Sequence, residues 1–307
     1  MKAKKIIAVI VVLLSVSLLS LKAQQLPQYT HYTFNDFAIN PAVTGTHNYL
    51  QVRALSRMQW MGVENAPQTH ALSVYGPMQE QPMGYGGNIY VDYTGPTSRM
   101  VFKGSYAYNT AINSNTRISG GLSLGGIQYK VDGTLFDMET IEEVTGQPDP
   151  VIDGTVRSMF IPDATAGVYV YSTYFFVGLS AHQLLGSKLN KIAPEQVGLN
   201  RLKQHFYLAG GYNVILNSDF QLQPSILIKQ MFPSTPQVEV TARALYQQTL
   251  WGGLSFRSSD AISVMLGYIH ESRWLFGFSY DLTYSELTEY SRGSIEIMVG
   301  LKFDDIK

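Results

Sequence analysis

The chain has 307 residues and a formal net charge of −1, so it offers no basic surface of the kind nucleic acid binds. Charged residues make up only 15 %, well below the share of a soluble domain, while aromatics reach 12 %. The absence of cysteine excludes disulfides, thiolate metal sites, thiol catalysis and a lipid-modified N-terminal cysteine.

In chain order, the first element reads as a signal peptide over residues 1–23. Lys2, Lys4 and Lys5 form a positive n-region, the run from Ile6 to Leu21 is apolar, and Ala23 precedes Gln24-Gln25 as a cleavage point. The apolar run, about 16 residues, is short for a membrane span of ~20. Residues 24–48 follow as a polar, aromatic stretch with no clean period, read as a periplasmic N-terminal segment ahead of a β-domain over 49–307. Within it Asn40-Pro41 predicts a turn.

Strand patterns then run without an intervening helix: 49–58, 69–75, 84–92, 100–109, 116–129, 163–171 and 174–183, then 204–215, 220–231, 238–246, 250–256, 261–269, 275–280 and 294–303. They number about 14, an even count as single-chain bacterial barrels require. Each has two unlike faces. Val238, Val240, Ala242, Ala244 and Tyr246 oppose Glu239, Thr241 and Arg243, because successive side chains in a strand point to opposite sides. The same alternation opposes Phe102, Gly104, Tyr106 and Tyr108 to Lys103, Ser105 and Asn109, and Ile295, Ile297, Val299, Leu301 and Phe303 to Glu296 and Lys302. Alternation explains a mean hydropathy of −0.01, since lipid-facing and lumen-facing halves average out.

The connections support a barrel. Those after even-numbered strands are short, whereas 130–162, 184–203 and 281–293 follow odd-numbered strands. Outer-membrane barrels have short periplasmic turns and longer outside loops, so the parity predicts both termini in the periplasm. The expected fold is therefore all-β: a transmembrane antiparallel β-barrel of the outer-membrane type. A soluble sandwich of this length would carry more surface charge, and no blade or solenoid period is present. Tyr108, Tyr171, Tyr246 and Trp251 are candidates for interfacial girdles. Lys103, Gln128, Lys229, Glu239 and Arg243 are candidates for the lumen. Strand glycines such as Gly120, Gly121, Gly125 and Gly126 suit tight curvature or a crowded, filled interior.

Little in the chain suggests catalysis. The six histidines show no metal-ligand spacing, and no nucleophile elbow or phosphate loop occurs. Asp137, Glu139, Glu142 and Glu143 supply hard oxygens of the kind calcium takes, but read better as a solvated loop. No cofactor and no enzymatic activity are expected.

Several motifs, in order, carry a family resemblance. They are Gln28-Tyr29-Thr30-His31-Tyr32-Thr33-Phe34-Asn35, Ile39-Asn40-Pro41-Ala42 with Gly45, and Arg57-Met58-Gln59-Trp60-Met61-Gly62. Ala66-Pro67-Gln68-Thr69-His70-Ala71-Leu72-Ser73 and Gly95-Pro96-Thr97 follow, and then Phe278-Ser279-Tyr280-Asp281. Together they resemble the PorP/SprF family. Where a Ser-His-Glu triplet is expected near the end, this chain has Ser294-Ile295-Glu296. The resemblance implies an outer-membrane component of the type IX secretion and gliding system of Bacteroidota. It also implies partners: a secreted, adhesin-type surface protein with a type B C-terminal sorting domain, a periplasmic peptidoglycan-binding lipoprotein and motor-linked ring components.

Asn40, Pro41, Arg57, Gln59, Trp60, Pro67 and Thr69 are the candidate partner-binding residues. Trp and Arg are enriched at binding hot spots. The competing reading makes Trp60 an interfacial anchor and Arg57 and Gln59 lumenal hydrogen-bonding groups. An open diffusion or uptake porin is the alternative function, and the state of the lumen separates the two.

Overall fold

The computed structural model describes residues 26–135, 155–189 and 201–303. The signal-peptide expectation over 1–23 and the acidic cluster from Asp137 to Glu143 lie outside the described residues. Strands β1 (Gln51–Met58), β2 (Gln68–Pro77), β3 (Met83–Thr94), β4 (Thr97–Ala111) and β5 (Thr116–Asp132) begin the wall. It continues through β6 (Val156–Ser172), β7 (Phe175–His182), β8 (His205–Tyr212, resumed at Val214–Ile215 past Asn213), β9 (Phe220–Gln230) and β10 (Gln237–Tyr246). Strands β11 (Leu250–Arg257), β12 (Ala261–His270), β13 (Trp274–Thr283) and β14 (Ser294–Lys302) complete it. Every strand pairs antiparallel with its sequence neighbours, and β1 pairs with β14 from Gln51↔Lys302 to Met58↔Ile295. The result is a closed 14-stranded antiparallel barrel. Closure leaves no sheet edge to satisfy in lipid, where unpaired backbone groups are costly.

The expected period holds along the wall. In β10, Glu239, Thr241 and Arg243 are buried toward the lumen while Val240 and Tyr246 are exposed outside. Strands β5 and β6 run further than the pattern predicts, to Asp132 and from Val156, which shortens the connection between them to 133–155. Gln128 is a correction: it lies on the outer face beside Met100 and Phe160, which are exposed, and not in the lumen. Trp251 and Tyr171 are also corrections. Trp251 is only 4 % exposed and packs inward against Phe34 at 4.6 Å, and the Tyr171 hydroxyl accepts from Asn109 Nδ2 at 2.5 Å inside the barrel. Tyr85, Tyr108, Tyr212, Tyr246, Tyr268 and Trp274 do face outward, all near the short-turn end, as an interfacial girdle requires.

Short turns join the strands at one mouth. Gln247-Gln248 and Glu271-Ser272 each place two consecutive residues at positive φ, between 49° and 58°. Such paired left-handed residues build tight hairpins whose twist matches the flanking strands.

Inside the barrel the chain is not empty. Residues 26–48 pass through the lumen as an irregular strap with 3-10 turns at Asp36–Ala38 and Pro41–Val43. Tyr29, Tyr32, Phe37, Ile39, Ala42 and Val43 are buried there against the wall. The strap runs from one mouth to the other. Leu26 lies with Trp60, Thr94 and Thr97 at the mouth of the long connections, and Gly45 lies against Gly84 near the short turns. Phe303 closes on Leu50 at the short-turn mouth, its N–H donating to Leu50 O at 2.8 Å. The expectation that both chain ends share one side therefore does not hold for the described residues. Strand parity counts the wall and misses the strap, which crosses the lumen once more.

Candidate functional site

The strap is held at three levels. Near the long-loop mouth, Arg57, Arg257, Glu239, Asp281 and Glu296 converge from five strands, each near the long-loop end of its strand and each at most 1 % exposed. Arg57 Nη2 donates to Asp281 Oδ2 at 2.6 Å, and its Nη1 donates to Glu296 Oε2 at 3.3 Å. Arg257 Nε donates to Glu239 Oε2 at 3.0 Å, and its Nη1 reaches Asp281 Oδ2 at 3.2 Å and Asp260 Oδ2 at 2.9 Å. Removing such charges from water costs several kcal/mol per ion, and only good geometry with further hydrogen bonds offsets it.

The strap supplies those further bonds. Glu296 accepts from the backbone N–H of Thr30 at 2.9 Å and of His31 at 2.8 Å, and from His31 Nδ1 at 2.7 Å. Thr30 Oγ1 accepts from Arg57 Nη1 at 3.0 Å and from Arg257 Nη2 at 3.2 Å. Gln28 Nε2 donates to Glu239 Oε2 at 3.1 Å, and Lys229 Nζ donates to Gln28 Oε1. The buried carboxylates and arginines thus complete one another only with residues 28–31 in place.

At mid-height the strap is fixed by Asn40. Its Oδ1 accepts from Ala42 N at 2.9 Å, capping the turn at Pro41–Val43, and its Nδ2 donates to Val168 O at 3.1 Å in β6. The wall makes room with glycine. A Cβ on Gly121 would lie 2.5 Å from Ala42 N, and one on Gly178 would lie 2.8 Å from Asn40 Nδ2. His182 and Ser180 both reach Ile39 O, at 2.8 Å and 2.6 Å. The third level, near the short turns, holds Phe34 between the Trp251 ring and the Arg243 guanidinium, which lies 3.8 Å from the Phe34 ring centre.

The candidate residues fall into three places. Gln59, Trp60, Pro67 and Thr69 line one groove of about 280 Å³ at the long-loop mouth, whose other wall is Leu26, Pro27 and Gln28 of the strap. Thr69 is buried there, its hydroxyl donating to Asp92 Oδ1 at 2.7 Å, while Asp92 pairs with Arg99 at 2.6 Å. Trp60 stands at φ 51°, its backbone N–H donating to Ser294 Oγ at 3.0 Å. Arg57 belongs to the ion network below the groove. Asn40 and Pro41 sit apart from both, lower in the lumen.

Sequence reasoning missed Glu296, Asp281 and Arg257 as a set with Arg57. The available signal was that each is a charged residue on an inward face at the same end of its strand. Among the described residues no group of three or more His, Asp or Glu is arranged to hold a metal.

A closed barrel whose lumen is filled by its own N-terminal segment defines a plugged barrel of the outer-membrane type. Its fold is similar to that of the CymD monoaromatic hydrocarbon channel, with a TM-score of 0.51 and 11 % identity over 87 % of this chain and 92 % of that one. The KdgM porin also aligns over 82 % of this chain and 99 % of its own, at 10 % identity and a TM-score of 0.38. No curated protein sequence matches the chain. The family model for the type IX secretion system membrane protein PorP/SprF matches residues 21–301, and the chain belongs to that family.

Proposed function

We propose that this barrel docks a secreted, adhesin-type surface protein and couples it to periplasmic components, with the long loops outside the cell and the short turns in the periplasm. The observation that carries this reading is the strap. A diffusion porin needs a lumen open to water, and barrels of this size have room for one. Here that space is taken by residues 26–48, fastened by buried ion pairs and a capped turn.

The partners are those the family role implies: a secreted protein with a type B C-terminal sorting domain, a periplasmic peptidoglycan-binding lipoprotein and motor-linked ring components. A signal peptide over 1–23 delivers the chain to the outer membrane. Gln59, Trp60 and Pro67 meet the client, a reading supported by their sharing one groove at the mouth of the long loops. A half-buried indole beside prolines is a good interface anchor. Arg57, Asn40 and Pro41 act at one remove, by holding the strap that forms the groove's second wall. Thr69 likewise holds Asp92 from within.

Affinity purification from native membranes tests the reading. The wild-type barrel is expected to recover a secreted surface protein and a periplasmic lipoprotein, and Trp60→Ala to lose the secreted one. Recovery of neither by the wild type, together with porin-like conductance of the purified protein in planar bilayers, overturns it in favour of a channel.

A further inference from the structure

The buried charges of the lumen are distributed unevenly between its two ends. Near the long loops, arginines and carboxylates are matched. Near the short turns, Arg53 and Arg243 are buried, at 3 % and 8 % exposure, and neither pairs with a carboxylate among the described residues. Arg53 spends its donors on neutral acceptors: Phe34 O at 3.1 Å, Val52 O at 3.0 Å and Gln51 Oε1 at 2.6 Å. Arg243 does the same, with Gln223 Oε1 at 2.9 Å and Thr33 Oγ1 at 2.8 Å. Among the described residues no carboxylate lies within salt-bridge distance of either, which is costly in a poorly solvated interior.

Two cavities open beside these arginines at the short-turn mouth. One, about 100 Å³, is bordered by Arg53, Arg273 and Lys302. The other, about 240 Å³, has Arg243 on one side and an aromatic wall of Tyr169, Tyr171, Phe175 and Phe176. Thr33, Asp36 and His47 line both, and Asp36 is the one carboxylate among their described lining residues. Arg53 and Lys302 beside a small cavity suit an oxyanion. The adjoining ring-lined cavity is of side-chain size and suits an aromatic group.

We propose that the short-turn mouth binds an acidic–aromatic segment of a polypeptide, its carboxylate entering between Arg53 and Lys302 and its ring entering against Tyr169 and Phe176. An inorganic anion would use the first cavity and leave the second unfilled; a carboxylate next to a ring uses both. The site does not depend on which side of the membrane this mouth faces, nor on the docking role at the other end.

Fluorescence anisotropy with the detergent-solubilised full chain tests it, using labelled short peptides that contain an Asp-Phe, Asn-Phe or Asp-Ala pair. The Asp-Phe peptide is expected to bind, and the Asn-Phe and Asp-Ala peptides to bind at least about tenfold more weakly, since a charge contact across an interface contributes on that scale. Lys302→Gln is expected to weaken the Asp-Phe peptide by a similar factor and to flatten its salt dependence. Lys302 is half-buried at the end of β14, so the barrel tolerates its change, which unchanged heat-modifiable migration on gels verifies. Three results overturn the proposal: no binding of the Asp-Phe peptide, equal binding of the Asn-Phe peptide, or displacement by acetate as effective as by the peptide. A chain ending at Phe303 settles the remaining competitor, the carboxylates of Asp304 and Asp305 in the tail that follows. Unchanged affinity supports an outside segment; affinity raised about tenfold makes that tail the occupant and overturns the proposal.

Discussion

Glu296 on the last strand grips His31 on the strap: its Oε1 accepts from His31 Nδ1 at 2.7 Å and from the His31 backbone N–H at 2.8 Å. The two residues are 265 positions apart in the chain, yet both side chains are fully buried. This contact ties the strap to the seam where β14 meets β1. Arg57, from β1, donates to the other oxygen of the same carboxylate.

Replacing Glu296 by Ala is therefore expected to free the top of the strap without opening the wall. Removing one partner of a buried pair costs about 3–5 kcal/mol, because the other charge stays buried and uncompensated. Limited proteolysis of the purified barrel reads the outcome: cleavage within residues 26–35 should appear in Glu296→Ala and be absent from the wild type.

Arg57 and Asp281 should be strongly non-additive. Arg57→Met and Asp281→Leu each leave the other's charge buried, whereas the double variant removes both. The double variant is expected to be more stable than either single variant, with a coupling of about 1–3 kcal/mol in a double-mutant cycle. Urea unfolding in liposomes, followed by tryptophan fluorescence, measures it.

A side chain at Gly121 should displace the strap at mid-height. Its Cβ would fall 2.5 Å from Ala42 N and 2.6 Å from Pro41 C, backbone atoms that cannot rotate away. Gly121→Val is expected to produce ion conductance in planar bilayers where the wild type is silent, since the strap and not the wall fills the lumen. A silent Gly121→Val that retains its heat-modifiable migration would show that the strap can shift and still seal.

The route of the strap places the two ends of the described chain at opposite mouths. With the long loops outside, an epitope inserted between Gln25 and Leu26 should be labelled on intact cells, and one after Lys307 only after the outer membrane is permeabilised. The reverse labelling would invert the proposed orientation.

Which parts were legible in the sequence follows from periodicity. Alternation identified the inward faces of Glu239, Arg243, Lys103 and Lys229, and merging 204–215 into one strand gave an even count despite the break at Asn213. It failed at Gln128, because β5 and β6 continue together past the end of β7 and a polar residue on the outer face there is not forced inward. It failed at Trp251 because girdle residues were sought by type and strand position, and an aromatic ring near a strand end fits either face. The turns at Gln247-Gln248 and Glu271-Ser272 carry no Asn-Gly or Gly signal, so only their shortness was visible.

The sequence by itself determined a wall: strands with two unlike faces, connections of two lengths and an ordered set of family motifs. Such features are local, since side-chain period and turn length depend on residues close in the chain. Only the tertiary structure decided that residues 26–48 fill the lumen, that Arg57 is an internal ion partner, and that Gln59, Trp60 and Pro67 meet Leu26–Gln28 in one groove. Those relationships join residues from strands far apart in sequence. They exist because closing β1 onto β14 turns every inward face toward one shared interior, where unmatched charge and empty space are both costly.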